Sequence, residues 1–413
     1  MLFQFSVSNF LSIKEEQTFS MIAANLTGHE EDNLFSFQDF RVLRSAVIYG
    51  PNASGKSNFI AAIEVMRNLV HNSVQNSTQK ELFPAWHFSL DERMQTKPTI
   101  FEVIFAAENT MYRYGFELLN DRVSKEYLYF VPNSREALLF ERTNDVYKFG
   151  KYSSDEFKGI KDKTNTRALF LTVAAQFNSK QAAIVLNWFQ NFNAISGLAS
   201  DGYREFTASK ILKDPEFKMR VSEMMQKADM GICSIDAKHV EADNLPTSLP
   251  KELRHLLMNE LEVFTTHKAT ANDGTSILKQ FNMETDESEG TKKYFALAGP
   301  ILDTLESGGV LVVDELDSKL HPLLTRHIVQ LFNSVDSNPN NAQLVFATHD
   351  TTLLSLRFFR RDQIWFVNKL EDGSSTLYAL SDYKDEDGRG VRKDSTIQTD
   401  YFQGKFDAIP FIQ

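Results

Sequence analysis

The segment Gly50-Pro51-Asn52-Ala53-Ser54-Gly55-Lys56-Ser57 sets two glycines either side of four residues and follows them with lysine and serine. That arrangement suits a phosphate cradle of the Walker A type. The glycines let the loop wrap so that backbone N–H groups point at phosphate oxygens. Lys56 brings a point charge to the β- and γ-phosphates, and the Ser57 hydroxyl can ligate Mg²⁺. A helix starting there adds the positive end of its dipole. Gly50, Pro51, Asn52, Ala53, Ser54, Gly55, Lys56, Ser57 and Asn58 form the candidate nucleotide-binding stretch. A second run, Gly309-Val310-Leu311-Val312-Val313-Asp314-Glu315, is apolar and ends in two acids. Asp314 at the tip of such a strand suits Mg²⁺, held through coordinated water. Glu315 suits orienting and polarising an attacking water, because phosphoryl transfer asks for positioning and electrostatics more than covalent chemistry.

These residues need rigid elements to carry them. Ser45-Ala46-Val47-Ile48-Tyr49 is a short apolar run stopped by Gly50-Pro51, which predicts a buried strand entering a loop. Beyond the loop, Phe59, Ile60, Ile63, Met66, Leu69 and Val70 recur at helical spacing. Phe3, Phe5 and Val7 alternate with polar residues, predicting a half-buried strand at the very start. Aromatic and aliphatic segments between 100 and 150, with Asn109 and Asn120-Asp121 as turn signals, predict an antiparallel sheet. From about 178 to 264 the periodicity reads as helical, with Trp188, Phe189, Phe192, Phe217, Met224 and Met225 facing inward. The last third returns to strand–helix alternation, with Val310–Val313 and Leu344–Ala347 as buried strands. The organisation expected is an N-terminal lobe over 1–175, a helical insertion over 176–280 and a C-terminal lobe over 281–413.

The chain has 413 residues, 42% of them hydrophobic and 24% charged, as a soluble globular chain has. No apolar stretch approaches the ~18 residues of a membrane span, and the first residues lack the pattern of a secretory signal. One cysteine, Cys233, excludes an intrachain disulfide and a cysteine metal cluster. These features predict a cytoplasmic protein. The net charge of −11 removes the global basic footprint of a nucleic-acid binder. Local basic clusters remain, at Lys158, Lys161, Lys163 and Arg167 and at Arg357, Arg360 and Arg361; both read as solvated surface. The acids Asp382, Asp385, Glu386 and Asp387 read as a solvated loop.

Three further motifs carry a resemblance. Glu287-Ser288-Glu289-Gly290-Thr291, ahead of a helical stretch to Leu305, resembles the ABC signature, with Ser288 and Gly290 in the family's places and Glu287, Glu289 and Thr291 departing from it. Thr348-His349-Asp350, after the apolar run ending at Ala347, resembles the ABC switch histidine. Asp317-Ser318-Lys319-Leu320-His321-Pro322 is similar to the D-loop of the overcoming-lysogenisation-defect ATPases. With the opening Phe5–Ile13 run, Phe359–Val367 and the terminal Gly404–Ile412, the chain resembles the SMC-like, AAA-type ABC ATPases of bacterial anti-phage defence loci. The resemblance is good over about 1–150 and 280–413.

It implies an α/β fold: an ABC/SMC-type P-loop head with a mixed central sheet, an antiparallel β subdomain and a helical insertion. It implies ATP and Mg²⁺ as ligands, His349 acting with Lys56 and Glu315 in hydrolysis, and a metal-contacting Q-loop glutamine after the antiparallel sheet, for which Gln176 is the candidate, an ordinary polar loop residue being the other reading of that position. It also implies a homodimer or higher homo-oligomer in which Ser288 and Gly290 of one copy close the site of the other. A separate effector, a nuclease or toxin, and a nucleic-acid or phage-protein trigger complete the expected partners, with no membrane. The competing reading is a DNA-repair or chromosome-handling ATPase that clamps nucleic acid. The 238 residues between Gly50 and Ser288 exceed what a transporter motor subunit uses, and no sustained heptad fills them.

Overall fold

The computed structural model describes residues 1–76, 86–153, 155–199, 201–228, 231–240, 260–385, 387–392 and 395–409. Glu386 and the terminal Pro410-Phe411-Ile412, both noted above, lie outside them. The chain divides into two units: Met1–Ile195 with Ser307–Glu315 and Leu331–Gln413, and Ser196–Glu306 with Leu316–Gln330.

In the first unit the opening alternation becomes β1 (Leu2–Ser8), flanked in one antiparallel sheet by β2 (Gln17–Ser20) and β6 (Thr99–Ala107). The sheet continues through β7 (Thr110–Leu119), β8 (Arg122–Phe130), β9 (Ala137–Thr143) and β10 (Val146–Phe149). Two of its two-residue turns are Glu108-Asn109 and Asn120-Asp121, all four residues at φ between 46° and 60°. Two successive positive φ values match the right-handed twist of the strands they join, and Asn and Asp tolerate that region best. Phe5, Val103, Tyr114 and Leu128 stand in register on one buried face. A separate hairpin, β3 (Leu34–Phe37) and β4 (Phe40–Leu43), packs beside them.

The second sheet of this unit runs β11 (Phe192–Ser196), β15 (Val310–Asp314), β16 (Gln343–Ala347), β5 (Ser45–Tyr49), β17 (Ile364–Lys369) and β18 (Ser375–Ala379). Strands β15, β16, β5 and β17 are parallel, and every residue of β5 and β16 is buried. Continuous apolar runs rather than alternation are what a sheet covered on both faces requires. The 21-residue α1 (Lys56–Asn76) follows β5, with Phe59 meeting Phe5 edge to face at 5.6 Å. After α2 (Asp155–Ile160), α3 (Phe170–Gln176) and α4 (Lys180–Gln190) pack on α1; Trp188 of α4 stacks on Phe105 at 4.0 Å.

Buried polar groups join these layers. Gln343, wholly buried, accepts from the Leu2 N–H at 2.5 Å and donates to the Leu2 and Leu43 carbonyls. Glu126 accepts from Tyr114 and from the Phe170 and Leu171 N–H groups at the start of α3. Burial pushes its carboxyl above the usual range, although Arg142 pulls the other way. Arg360 is buried too, donating to the Ala24, Leu26 and Gly28 carbonyls and pairing with Asp362. It therefore belongs to the core, and the surface cluster expected at Arg357, Arg360 and Arg361 is not one.

The second unit corrects the expected all-helical insertion. Helices α5 (Asp201–Lys213) and α6 (Pro215–Lys227), the latter capped by Asp214, are joined by an antiparallel sheet of β12 (Ile232–His239), β13 (Leu261–Thr270) and β14 (Ser276–Asn282). These strands bury few apolar side chains, and the first five residues of β14 are exposed on both faces, so no period of two marks them. Part of the region read as helical, 241–259, lies outside the described residues. The short α7 (Met283–Asp286) leads into α8 (Glu289–Ser307), and α9 (Pro322–Asn333) opens in this unit.

Candidate functional site

The glycine loop is fixed by close packing. A side chain at Gly50 would collide with the Val367 carbonyl and come within 2.7 Å of Ser54 Oγ. Gly55 has φ +113°, and a Cβ there would strike the Ser375 and Ser12 hydroxyls. Ala53 holds φ +61° without being glycine. Lys56, 5% exposed, opens α1 and turns its ammonium onto the loop, donating to the Gly50 carbonyl at 2.7 Å and the Pro51 carbonyl at 3.1 Å. Ser57, beside it, is exposed.

Behind the loop runs a chain of small polar groups that sequence reasoning missed. Asn58 donates to Ser12 Oγ at 2.8 Å, the Ser12 and Ser375 hydroxyls are 2.8 Å apart, and Ser375 donates to the Ser54 carbonyl at 2.5 Å. Ser12 sits in a loop shaped by Asn9, which is buried at φ +51°, accepts from the Phe88 N–H and donates to the Met94 and Lys97 carbonyls. The Asn9-Phe10-Leu11-Ser12 run, visible in the sequence, was the available signal. Ser375, alone on a strand, left none.

Three parallel strands deliver the remaining groups to one edge of the sheet. The register Val313–Phe346 and Phe346–Val47 aligns β15, β16 and β5, so Asp314, Thr348 and Gly50, one, two and three residues beyond those pairs, leave neighbouring strands at the same end of the sheet. Adjacent strands lie ~4.8 Å apart, so the axes of the two outer strands run about 10 Å from one another. Asp314 Oδ1 is buried without a hydrogen-bond partner. Glu315 follows at φ +51°, a conformation that costs a non-glycine residue about 1 kcal/mol and that gathers at functional positions. The loop after β16 is tied to β5: Thr348 N–H reaches the Ile48 carbonyl at 3.3 Å, and Tyr49 Oη donates to the Asp350 carbonyl at 3.1 Å. His349, between these anchors, is exposed. Asp350, given no role above, also buries an unpartnered oxygen, Oδ2.

A buried carboxylate oxygen lacking a donor is expensive unless a cation or its water completes it. Asp314 with the Ser57 hydroxyl supplies the hard oxygen donors that Mg²⁺ takes, so the residues fit that ion. Among the described residues no group of three or more His, Cys, Asp or Glu could enclose a metal, so an ion here would take most of its ligands from phosphate and water. Gln176 closes α3, exposed. The α3 contacts fall on the far half of α1, where Thr172 donates to the Val70 carbonyl, about 20 Å along the helix from Lys56. No contact described for Gln176 reaches the loop.

Ser288 and Gly290 stand in the second unit, at the head of the 19-residue α8. Ser288 caps that helix: its hydroxyl accepts from Thr291 N–H at 3.2 Å and lies 2.9 Å from Thr291 Oγ1. A Cβ on Gly290 would come within 3.2 Å of the Lys319 carbonyl, so the segment after Glu315 lies against this tip. Glu289 pairs with Lys292 and Lys319 at 3.0 and 2.9 Å, and these ammonium groups, Lys319 first, hold its carboxyl below the usual range.

Residues 45–355 match the family described as "AAA domain, putative AbiEii toxin, Type IV TA system". Two solved structures are similar over 92% of the chain and 98% of their own, each at 14% identity. One is the SMC head domain from Thermotoga maritima, TM-score 0.41; the other is the recombination mediator protein RecF with ATPγS in the RecFOR pathway, TM-score 0.37. No curated protein matches the chain. Among the described residues no helix is long and apolar enough to cross a membrane.

Proposed function

We propose, from the premise that this chain belongs to the AAA-domain family of P-loop ATPases, that it binds ATP with Mg²⁺ at the three strand tips and hydrolyses it. The observation that carries this is the convergence of Gly50–Ser57, Asp314-Glu315 and Thr348-His349 on adjacent parallel strands, with one Asp314 oxygen left unsatisfied. The Lys56 ammonium, seated on its own loop carbonyls, exchanges them for β- and γ-phosphate oxygens. The loop N–H groups and the start of α1 add fixed positive potential. Ser57 and Asp314 would hold the ion, Asp314 through water, and Mg²⁺ bound there would supply neutralisation of developing phosphate charge. Glu315 accepts a hydrogen bond from the attacking water and aligns it. His349 donates to the γ-phosphate from the neighbouring tip.

The site is closed by a second copy. Ser288 and Gly290 lie at the N-terminus of a long helix, where N–H groups favour an anion, and the resemblance to the ABC signature supports reading that anion as the γ-phosphate held by the opposite protomer. A homodimer that assembles on ATP and separates after hydrolysis is a switch, and we read it as the sensor of an anti-phage system controlling a separate nuclease or toxin in the cytoplasm. The trigger is a phage protein or nucleic acid. The net charge of −11 and the burial of Arg360 weigh against a nucleic-acid clamp as the main role. Glu315→Gln provides the test. It keeps ATP binding, loses turnover by about 10²–10³-fold and accumulates a nucleotide-locked dimer; unchanged turnover removes Glu315 from this role.

A further inference from the structure

Glu287, the residue before Ser288, stands where the family's signature has leucine. Its Oε1 accepts from two side chains of β13: Thr265 Oγ1, in a short hydrogen bond, and His267 Nε2 at 2.7 Å. Thr265 and His267 are two residues apart and so share a face of the strand. Thr265 is wholly buried, and the side chains of His267 and Glu287 are 22% and 11% exposed. The imidazole packs edge-on against Phe281 of β14, ring centroids 5.1 Å apart. Accepting from Nε2 requires Nε2 to carry a proton, which fixes what the ring presents to Glu287.

The other acid of the motif, Glu289, is 63% exposed and pairs with Lys319, 59% exposed. Such surface pairs contribute little. The Glu287 contacts are shielded, doubled on one oxygen and anchored in a sheet, and shielded charge-assisted bonds hold geometry best.

We propose that His267, with Thr265, is a positioning residue for the Ser288 tip: it fixes Glu287 and thereby makes the β12–β14 sheet the part of the molecule that sets how the tip is presented to the γ-phosphate of the opposing protomer. The substitution of glutamate for the family's leucine is the device. The inference rests on the composite-site reading above and deepens it. Nucleotide affinity, set by the Lys56 loop in the other unit, stays untouched, and the step that needs the tip slows.

The test uses the full chain with His267→Ala, His267→Gln, Glu287→Leu and, as reference, Ser288→Ala, measuring ATP affinity, kcat and melting temperature. His267→Ala and Glu287→Leu lower kcat about tenfold with ATP affinity within about twofold. His267→Gln, which retains an N–H donor, recovers most of the loss. Glu287→Leu restores the family residue and guards against misfolding, since a merely structural pair replaced by leucine keeps its melting temperature and its turnover. Wild-type kcat in His267→Ala and Glu287→Leu, with Ser288→Ala impaired, overturns the inference and leaves the composite site standing. A loss of ATP affinity parallel to the loss of kcat also overturns it. Full turnover in Ser288→Ala removes the tip from catalysis, and both readings fall together.

Discussion

Lys56 is the residue whose loss should be simplest to read. Its ammonium is buried against the loop, so Lys56→Ala removes the charge that phosphate would meet while leaving the backbone cradle intact. ATP affinity should fall by about a hundredfold, measured by calorimetry or nucleotide fluorescence, with the melting temperature of the nucleotide-free chain preserved. Asp314→Asn should abolish turnover and remove the Mg²⁺ dependence of ATP binding, because it alters the unsatisfied oxygen that the proposed ion would complete through its water; retained Mg²⁺ dependence would remove Asp314 from the metal. At this scale the sequence was most informative where chemistry imposes spacing. Gly50, Lys56, Ser57, Asp314 and His349 stood out because a phosphate cradle would need that order of glycines, charge and hydroxyl, and the strands that carry them lie side by side. Ser375 was illegible: a lone serine becomes a brace for the loop only when β18 lies against β17, far from Ser54 in sequence. Gln176 shows the converse, a plausible residue type with no geometry in the described contacts to support it.

Elements explain how the loop is braced. The chain from Asn58 through Ser12 and Ser375 to the Ser54 carbonyl ties α1, the turn after β1 and the β17–β18 hairpin to one loop. Ser375→Val leaves the Ser54 carbonyl without this donor and the Ser12 hydroxyl with Asn58 as its partner. It should raise KM for ATP about three- to tenfold with kcat nearly unchanged; an unaltered KM would show the brace to be idle. In α8, Lys293 is 3% exposed and donates to the Gly197 carbonyl, and burial pushes its ammonium down to about 8. The unfolded chain keeps that lysine protonated to about pH 10.4, so between pH 8 and 10 the unfolded state binds more protons and stability should rise with pH. Lys293→Met should flatten that rise and add about 2 kcal/mol at pH 7, read from denaturant melts across the pH range. The antiparallel sheet at 99–149 was legible because alternation and Asn-containing turns agree. The three-stranded sheet of the second unit was not, because β14 buries almost nothing on either face and the pattern therefore has no polarity to report.

For the whole molecule, the two ends of the proposed site fall in different units of the chain, the phosphate cradle in one and the serine tip in the other. If each site takes its cradle from one copy and its tip from another, Lys56→Ala mixed with Ser288→Ala should recover part of the activity that each lacks alone, since one intact site can form in the heterodimer. The bulk composition could say only that the chain lacks a global basic footprint; the proposal that copies pair came from the signature-like tip. The claim on which the rest depends is that ATP brings two copies together through Ser288. Sedimentation or light scattering of Glu315→Gln with ATP and Mg²⁺, beside Glu315→Gln carrying Ser288→Arg, tests it most directly. The account predicts that ATP doubles the mass of the first and leaves the second at one chain. A single-chain mass for Glu315→Gln at saturating ATP, or equal doubling in both, would contradict it.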